Sequence, residues 1–214
     1  KAIEKVNYAS QKNIDFIICD HHKPGDKLPK AVAVLNAKRE DCSYTFDELC
    51  GCGVGFKLIQ ALASKRGQTL EDLTQYLDLV ATAIAADIVP ITGENRILTY
   101  FGLQVINSNP RNGIKAIIQG VKKNILTITD VVFIIAPRIN AAGRMKHGNY
   151  AVELLTEMDY ETAISFAASI EKFNIERKEI DKKITYEALQ QIEVADEKEK
   201  FSTVVYSEDW HKGV

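Results

Sequence analysis

The sequence has few of the residues that mark secreted, membrane or strongly basic proteins. Its four cysteines lack the spacing of a zinc knuckle or a thioredoxin motif, so we expect reduced thiols. No apolar run approaches the roughly 20 residues that a transmembrane helix needs, and the first residues do not have the pattern of a signal peptide. We therefore expect a cytoplasmic protein without a membrane span.

The charge balance excludes a domain that is basic over its whole surface. The 214 residues include 27 Lys and Arg against 29 Asp and Glu, which gives a formal charge of −2. Domains that bind nucleic acid are often strongly basic, so any contact with nucleic acid would come from a local patch. The chain is 46% hydrophobic and long enough to bury a sizeable core.

A carboxylate and two adjacent histidines, Asp20, His21 and His22, directly follow an apolar run at residues 14–19. The run is typical of a buried β-strand, and ligands of open α/β sheets bind beyond the carboxyl ends of the strands. Imidazole is a good transition-metal ligand, and carboxylates suit harder divalent ions such as Mn²⁺. The tripeptide therefore predicts a metal site, with a surface or core histidine pair as the alternative.

A second carboxylate, Asp87, ends a stretch with helical periodicity that starts at Glu71. Thr69, with Asp72 three residues on, predicts the N-cap of this helix. Asp87 lies among alanines and aliphatic residues, and a buried carboxylate is costly unless it is paired or bound to a metal. The alternative is an exposed aspartate where the helix ends before Pro90.

Residues 136–145 place Arg138, Asn140 and Arg144 among small side chains. Small residues allow close approach of the backbone, and the arginine fork matches phosphate oxygens in a bidentate manner. The segment therefore predicts a phosphate contact, with an ordinary loop carrying solvated arginines as the alternative.

Periodicity predicts an α/β fold in which helices dominate the later part. Residues 159–193 contain neither Gly nor Pro, which predicts one long helix or two helices broken near Asn174. Residues 200–206 predict a further strand. The other predicted elements are strands at 14–19 and 31–35, helices at 1–12, 55–66, 95–106 and 113–119, and a helix capped by Thr129 and Asp130 before Pro137.

Taken together, these segments resemble the bacterial RecJ exonucleases of the DHH phosphoesterase superfamily. The Asp-His-His motif marks the superfamily, whereas residues 137–145 and the tail around Trp210 point to the RecJ family. The segments that carry the resemblance are residues 20–25, 35–36, 53–56, 86–90, 95–96, 113–116, 137–145 and 208–214.

The resemblance implies a parallel-sheet DHH-type domain at residues 1–158, incomplete at its N-terminus. It also implies a long connector helix at 159–196 and the start of a second, DHHA-type domain at 197–214. The family's Asp-x-Asp motif and a further aspartate, which precede Asp-His-His, are missing. We therefore expect a piece of a longer enzyme that by itself has little exonuclease activity and weak Mn²⁺ affinity.

The resemblance also implies a mechanism, namely hydrolysis of phosphodiester bonds in single-stranded DNA, from the 5′ end, with two Mn²⁺ or Mg²⁺ ions. His21 and Asp87 match metal ligands of the family, and His22 matches the catalytic histidine that faces the scissile phosphate. Asp20 would fix an imidazole tautomer. Arg138, Asn140 and Arg144 match the segment beside the DNA strand. The biological role implied is DNA repair and recombination.

Two other functions stay open at this point. Another DHH phosphoesterase, such as a nano-RNase, a nucleotide phosphatase or a pyrophosphatase, would share the metal site but is not expected to have residues 137–145. A catalytically inactive scaffold of the same fold tends to lose metal ligands, and the retention of His21 and Asp87 counts against it.

Overall fold

The computed structural model describes residues 2–194 and 200–214. Lys1 and the predicted domain boundary at residues 196 and 197 lie outside this part of the chain. In chain order the elements are α1 (Ala2–Gln11), β1 (Ile17–Cys19), β2 (Ala33–Leu35), α2 (Gly51–Lys65), a 3₁₀ turn (Glu71–Tyr76), α3 (Leu77–Asp87), α4 (Gly93–Ser108), α5 (Asn112–Ile118), α6 (Ile128–Asp130), a π turn (Val131–Ile135), α7 (Ala136–Met145), α8 (Asn149–Thr156) and α9 (Tyr160–Val194).

The chain divides into two compact units. The first unit comprises Lys1–Arg111 and Lys122–Ala136, and the second comprises Asn112–Val121 and Pro137–Val214. Within the described residues, no helix is long and apolar enough to cross a membrane. The domain boundaries inferred from the sequence stay predictions.

The two strands of the first unit pair in parallel, with Ile17 opposite Ala33 and Cys19 opposite Leu35. Both strands lie where the sequence places them, but each is shorter than predicted. The prediction that the first strand is buried is wrong, since Ile17 is 54% exposed. A parallel strand is buried only when both of its faces are covered, and the face of β1 that Ile17 and Cys19 share is exposed.

Helix α2 begins four residues before its predicted start at residue 55. The side chain of Cys50 accepts a hydrogen bond from the Gly53 amide at 3.4 Å and so acts as the N-cap. Cysteine is outside the set of strong capping residues, which is why the sequence pattern missed this start. The helix ends at Lys65, and Gly67 follows with a φ of 72°.

Helix α3 is the most deeply buried helix of the first unit. The predicted N-cap at Thr69 is wrong, because Leu70 precedes the 3₁₀ turn, α3 begins only at Leu77, and neither start has a side-chain cap bond. Thr69 instead donates hydrogen bonds from its amide and hydroxyl to Asp72. A Cβ atom at Gly102 of α4 would lie 2.3 Å from the carbonyl oxygen of Leu77, so glycine allows the two helices to pack closely. The buried residues of α3 are Leu77, Asp78, Val80, Ala81, Thr82, Ile84 and Ala85.

A buried ion pair holds the start of α3 against the segment that follows α4. The Asp78 carboxylate is fully buried, and the Arg111 Nε and Nη2 atoms lie 3.0 and 2.8 Å from its Oδ1. The Arg111 amide also donates to the carboxylate at 3.0 Å. A buried charge is tolerated when it is paired and hydrogen-bonded in this way.

The segment before α7 differs from the prediction in both its cap and its course. Thr127, rather than Thr129, is the N-cap, and it forms a capping box with Asp130. The helical segment continues through Pro137 into α7, so the loop alternative is wrong. Proline removes an N–H and clashes with the carbonyl four residues earlier, and the π turn directly before it accommodates that loss.

Helix α9 is a single 35-residue helix, about 50 Å long at 1.5 Å per residue. It does not break at Asn174, and α5 and α8 pack against it. Its role as a connector between domains stays a prediction. The prediction of a strand at residues 200–206 is wrong, because this segment does not pair with any strand of the described residues. Instead, the Tyr206 carbonyl accepts a hydrogen bond from the side chain of Gln191.

Removing the buried ion pair should destabilise the first unit. We expect Arg111→Ala to lower the free energy of unfolding by about 3–5 kcal/mol, since the Asp78 carboxylate would stay buried without its main counter-charge. Urea titration measures this, with Arg66→Ala at the exposed end of α2 as the control. If both variants lost the same small amount of unfolding free energy, the Asp78–Arg111 pair would not have a structural role.

The α6 cap should contribute stability that depends on pH. Lys123 and the backbone and hydroxyl of Thr127 lower the pKa of Asp130 to about 2. Because the folded pKa lies below the unfolded value of about 3.9, this stabilisation is present above about pH 4 and is lost as the pH falls towards 2. Asp130→Asn should flatten that part of the stability profile. A thermal melt series from pH 2 to 6 tests this, and an unchanged profile would contradict it.

Candidate metal centre

The predicted tripeptide forms a tight turn at the carboxyl end of β1. The Asp20 amide donates to the Leu35 carbonyl at 3.0 Å, which keeps the turn at the edge of the sheet. The Asp20 Oδ1 atom accepts the amides of His21 at 2.8 Å and His22 at 3.2 Å. These bonds form an Asx-type turn, in which an aspartate satisfies the backbone amides just after it.

The same carboxylate oxygen of Asp20 lies 2.8 Å from Nδ1 of His22. Partial burial raises the pKa of Asp20, but hydrogen bonds from the His22 side chain and from the His22 and His21 amides outweigh it, so the pKa lies below that of an ordinary aspartate. Asp20 therefore contacts the imidazole of His22, and its predicted role in fixing the tautomer of a metal-bound histidine stays a prediction.

His21 and Asp87 come together from different elements. The Nε2 atom of His21, whose side chain is 17% exposed, lies 3.3 Å from Oδ2 of Asp87. Asp87 is the last residue of α3 and is 42% exposed, so it is an open helix-end residue rather than a buried carboxylate. Ile88 follows with a φ of 55°, a left-handed conformation that is rare for a β-branched residue.

Asn36 is a site residue to which the sequence analysis assigned no role. Its side chain is buried, donates to the His22 carbonyl at 2.8 Å and accepts the Lys38 amide at 2.9 Å. A polar residue directly after the second strand is the signal that could have identified it. Asn36 thus joins the end of β2 to the histidine turn after β1.

The donor set fits a divalent cation. One ligand atom from each of Asp20, His21 and His22 lies within 4.8 Å of the other two, and Asp87 faces His21. Imidazole nitrogens combined with carboxylate oxygens are ligands that Mn²⁺ accepts. His21 and Asp87 are the pair with which a cation could bind without breaking the Asp20 turn.

The three residues predicted to contact phosphate lie on α7 in the second unit. The Nε atom of Arg138 forms an ion pair with Oε2 of Glu171 on α9. Asn140 is half-buried, and Arg144 is exposed in the last turn of α7. The structure therefore brings the four metal-site residues together in the first unit and groups the α7 residues in the second.

Comparisons with known proteins give similarity in sequence and in fold. Residues 1–84 match the DHH family, N-terminal domain. The chain is 36% identical over its whole length to the single-stranded-DNA-specific exonuclease RecJ of Bacillus subtilis and covers 26% of that protein. It is 34% identical over 98% of its length to the RecJ of Escherichia coli, of which it covers 39%. The chain thus spans about a quarter to two fifths of the curated relatives that it matches.

Solved structures give the same result. RecJ from Thermus thermophilus in complex with Mn²⁺ superposes on 98% of this chain with a TM-score of 0.85 and 27% identity, and 31% of that chain is covered. An exonuclease RecJ bound to manganese superposes on 88% of this chain with a TM-score of 0.78 and 28% identity, and 48% of that chain is covered. The predicted α/β class is confirmed. Residues 1–84 thus match the DHH family, N-terminal domain, and the chain along its whole length is similar to the RecJ exonucleases.

Proposed function

We propose that the protein containing these residues is a metal-dependent exonuclease that degrades single-stranded DNA from the 5′ end during DNA repair and recombination. The observation that carries the proposal is the approach of His21 and Asp87 at the carboxyl edge of the sheet, in a chain similar to RecJ over its whole length. The likeness to RecJ structures that contain Mn²⁺ supports the choice of cation.

In this proposal His21 and Asp87 hold Mn²⁺ or Mg²⁺. Two bound divalent ions would activate water and stabilise the charge on the attacking and leaving oxygens. The imidazole nitrogen and carboxylate oxygen supplied by this chain are one part of the ligand set. The Asp20 turn fixes the backbone of His21 and so limits the directions in which its ring can point.

His22 has the geometry of a residue that handles a proton. A carboxylate can only accept a hydrogen bond, so the Nδ1 atom of His22 carries a proton that it donates to Asp20. The ring is 77% exposed, and this tautomer leaves Nε2 as the atom that can accept or give a proton at a phosphate oxygen. Asp20 acts by orienting this ring, as carboxylates do for catalytic histidines.

The α7 residues contribute unequally to phosphate binding in this proposal. The charge of Arg138 is balanced by Glu171, whereas Arg144 is exposed in the last turn of the helix. Arg144 is therefore the stronger candidate for contact with a backbone phosphate. Arg138 and Asn140 would shape the surface beside it.

Substitution of the proposed metal ligands tests the function. We expect Asp87→Asn or His21→Ala in the intact protein to lower turnover on single-stranded DNA by about 10²-fold or more, because charge stabilisation at the scissile phosphate is lost. The melting temperature should change little, since Asp87 is exposed.

Turnover at saturating Mn²⁺, calorimetric Mn²⁺ titration and a thermal melt are the measurements. Asp26→Asn, an exposed aspartate of the same unit, is the matched control. Near-normal turnover in Asp87→Asn would make this aspartate a helix-end residue only. If the unmodified protein were folded but inactive, the alternative of a catalytically inactive scaffold would be favoured instead.

The dependence of DNA affinity on salt separates Arg144 from Arg138. For single strands each neutralised phosphate contributes about −0.7 to the slope of log affinity against log salt. We expect Arg144→Gln to make the slope shallower by about this amount without lowering the melting temperature.

Arg138→Gln should change the slope less and lower the melting temperature, because Glu171 would lose its counter-charge. Affinity measured at four or more salt concentrations, with a melt on each variant, gives both quantities. A larger slope change in Arg138→Gln would reverse the proposed roles of the two arginines.

A further inference from the structure

One face of α9 has a row of polar side chains that the sequence analysis did not single out. Glu171, Asn174 and Arg177 form a row in which Asn174 lies three residues from each of the other two and so neighbours both along the helix surface. Glu171 pairs with Arg138 of α7, which places this side of α9 next to a residue of the proposed substrate path. The three residues cannot be recognised as a group from the sequence, because charged residues occur along most of α9.

Asn174 has no hydrogen-bond partner within the described chain. Its side chain is 0% exposed, and neither its amide nitrogen nor its oxygen is paired. A buried polar group without a partner costs free energy, and native proteins contain few such groups. The position therefore points to a bound water or ligand, or to a function that offsets this cost.

Arg177 has the same property one turn further along α9. Its Nε atom is buried without a hydrogen-bond partner, and no ion pair forms between its guanidinium and any carboxylate of the described residues. The side chain as a whole is half-buried. Glu171, the carboxylate of the row, is already engaged by Arg138. A half-buried guanidinium without a counter-charge is unfavourable in the free protein.

The hydrogen-bond donors of Arg177 and Asn174 indicate which kind of ligand the site would bind. Arginine has only donors, arranged in a planar fork, so its partner must be an acceptor with negative charge. Phosphate matches this fork, and the Asn174 amide can donate to a phosphate oxygen or to a water that bridges to it. A structural arginine would be paired with a carboxylate or with backbone carbonyls, as Arg111 is.

We propose that Arg177, with Asn174 beside it, forms a phosphate-binding site on α9 that receives a backbone phosphate of the single strand. This inference rests on the proposed function and extends the substrate path from α7 to α9. The unpaired groups lower the stability of the free protein and are satisfied when the strand binds. The site thereby supplies positive charge on α9, whereas the charge of Arg138 is balanced by Glu171.

The test compares Arg177→Gln with Lys178→Gln in the intact protein. Both variants remove one positive charge from neighbouring positions of α9, and Lys178 is exposed. We expect Arg177→Gln to weaken single-strand binding by about tenfold and to make the salt slope shallower by about 0.7. Its melting temperature should be unchanged or higher, because an unpaired buried donor is removed. Lys178→Gln should leave affinity and melting temperature close to those of the unmodified protein.

Two further measurements keep the result unambiguous. Arg177→Lys should retain the salt slope and lose affinity, since it keeps the charge but not the fork. Inorganic phosphate should raise the melting temperature of the unmodified protein more than that of Arg177→Gln. If phosphate distinguishes the two proteins while neither binds single-stranded DNA, the proposed function fails and the anion site stands.

The proposal is overturned by an unchanged salt slope in Arg177→Gln when the unmodified protein binds DNA. A lowered melting temperature with that unchanged slope would show a structural arginine. Equal phosphate protection of both proteins would overturn the anion site itself. A phosphate effect without any change in DNA affinity would assign the site to free phosphate and overturn the contact with the strand.

Discussion

The burial of helix α3 is the constraint on which the first unit depends. A charged group on an enclosed helix is costly to bury unless it is paired, and Asp78 is paired with Arg111. Close packing also requires glycine at position 102. With the helix fixed in this way, its last residue, Asp87, emerges beside His21 at the end of β1. The candidate metal centre is therefore a consequence of core packing as well as of the histidine motif.

The sequence was informative wherever local chemistry decides the structure. The position of the strand before Asp20 could be predicted, because periodicity is a local property. The absence of Gly and Pro at residues 159–193 allowed one long helix or two, and the expected cap at Thr69 was wrong because the helix start is set by Leu70 and the 3₁₀ turn after it. The exposure of β1 and the missing strand at residues 200–206 could not be predicted, since both depend on which neighbours cover or pair with a segment. The partners of Arg138 and Asp87 lie far away in sequence, and no spacing rule identifies such partners.

The site itself is held by a few residues with more than one contact each. Asp20 closes the turn and orients His22 with one oxygen atom, and Asn36 ties the same turn to the neighbouring strand. Such supporting contacts keep functional side chains near one geometry before a ligand arrives. Asn174 and Arg177 on α9 are the opposite case, because in the proposed site their unpaired polar atoms gain partners when a ligand binds. The candidate metal centre is thus ordered by hydrogen bonds within the chain, whereas the proposed phosphate site on α9 has polar atoms without such bonds.

The left-handed backbone of Ile88 has a consequence for the order of folding. A β-branched residue does not adopt this conformation by itself, and holding it there costs of order 1–3 kcal/mol. The end of α3 is therefore imposed by tertiary packing and not by local preference. During folding, the chain around Asp87 should take its final path only after the surrounding elements have docked. In the native protein the same segment should be among the first to open in amide hydrogen exchange, well before the core of α3.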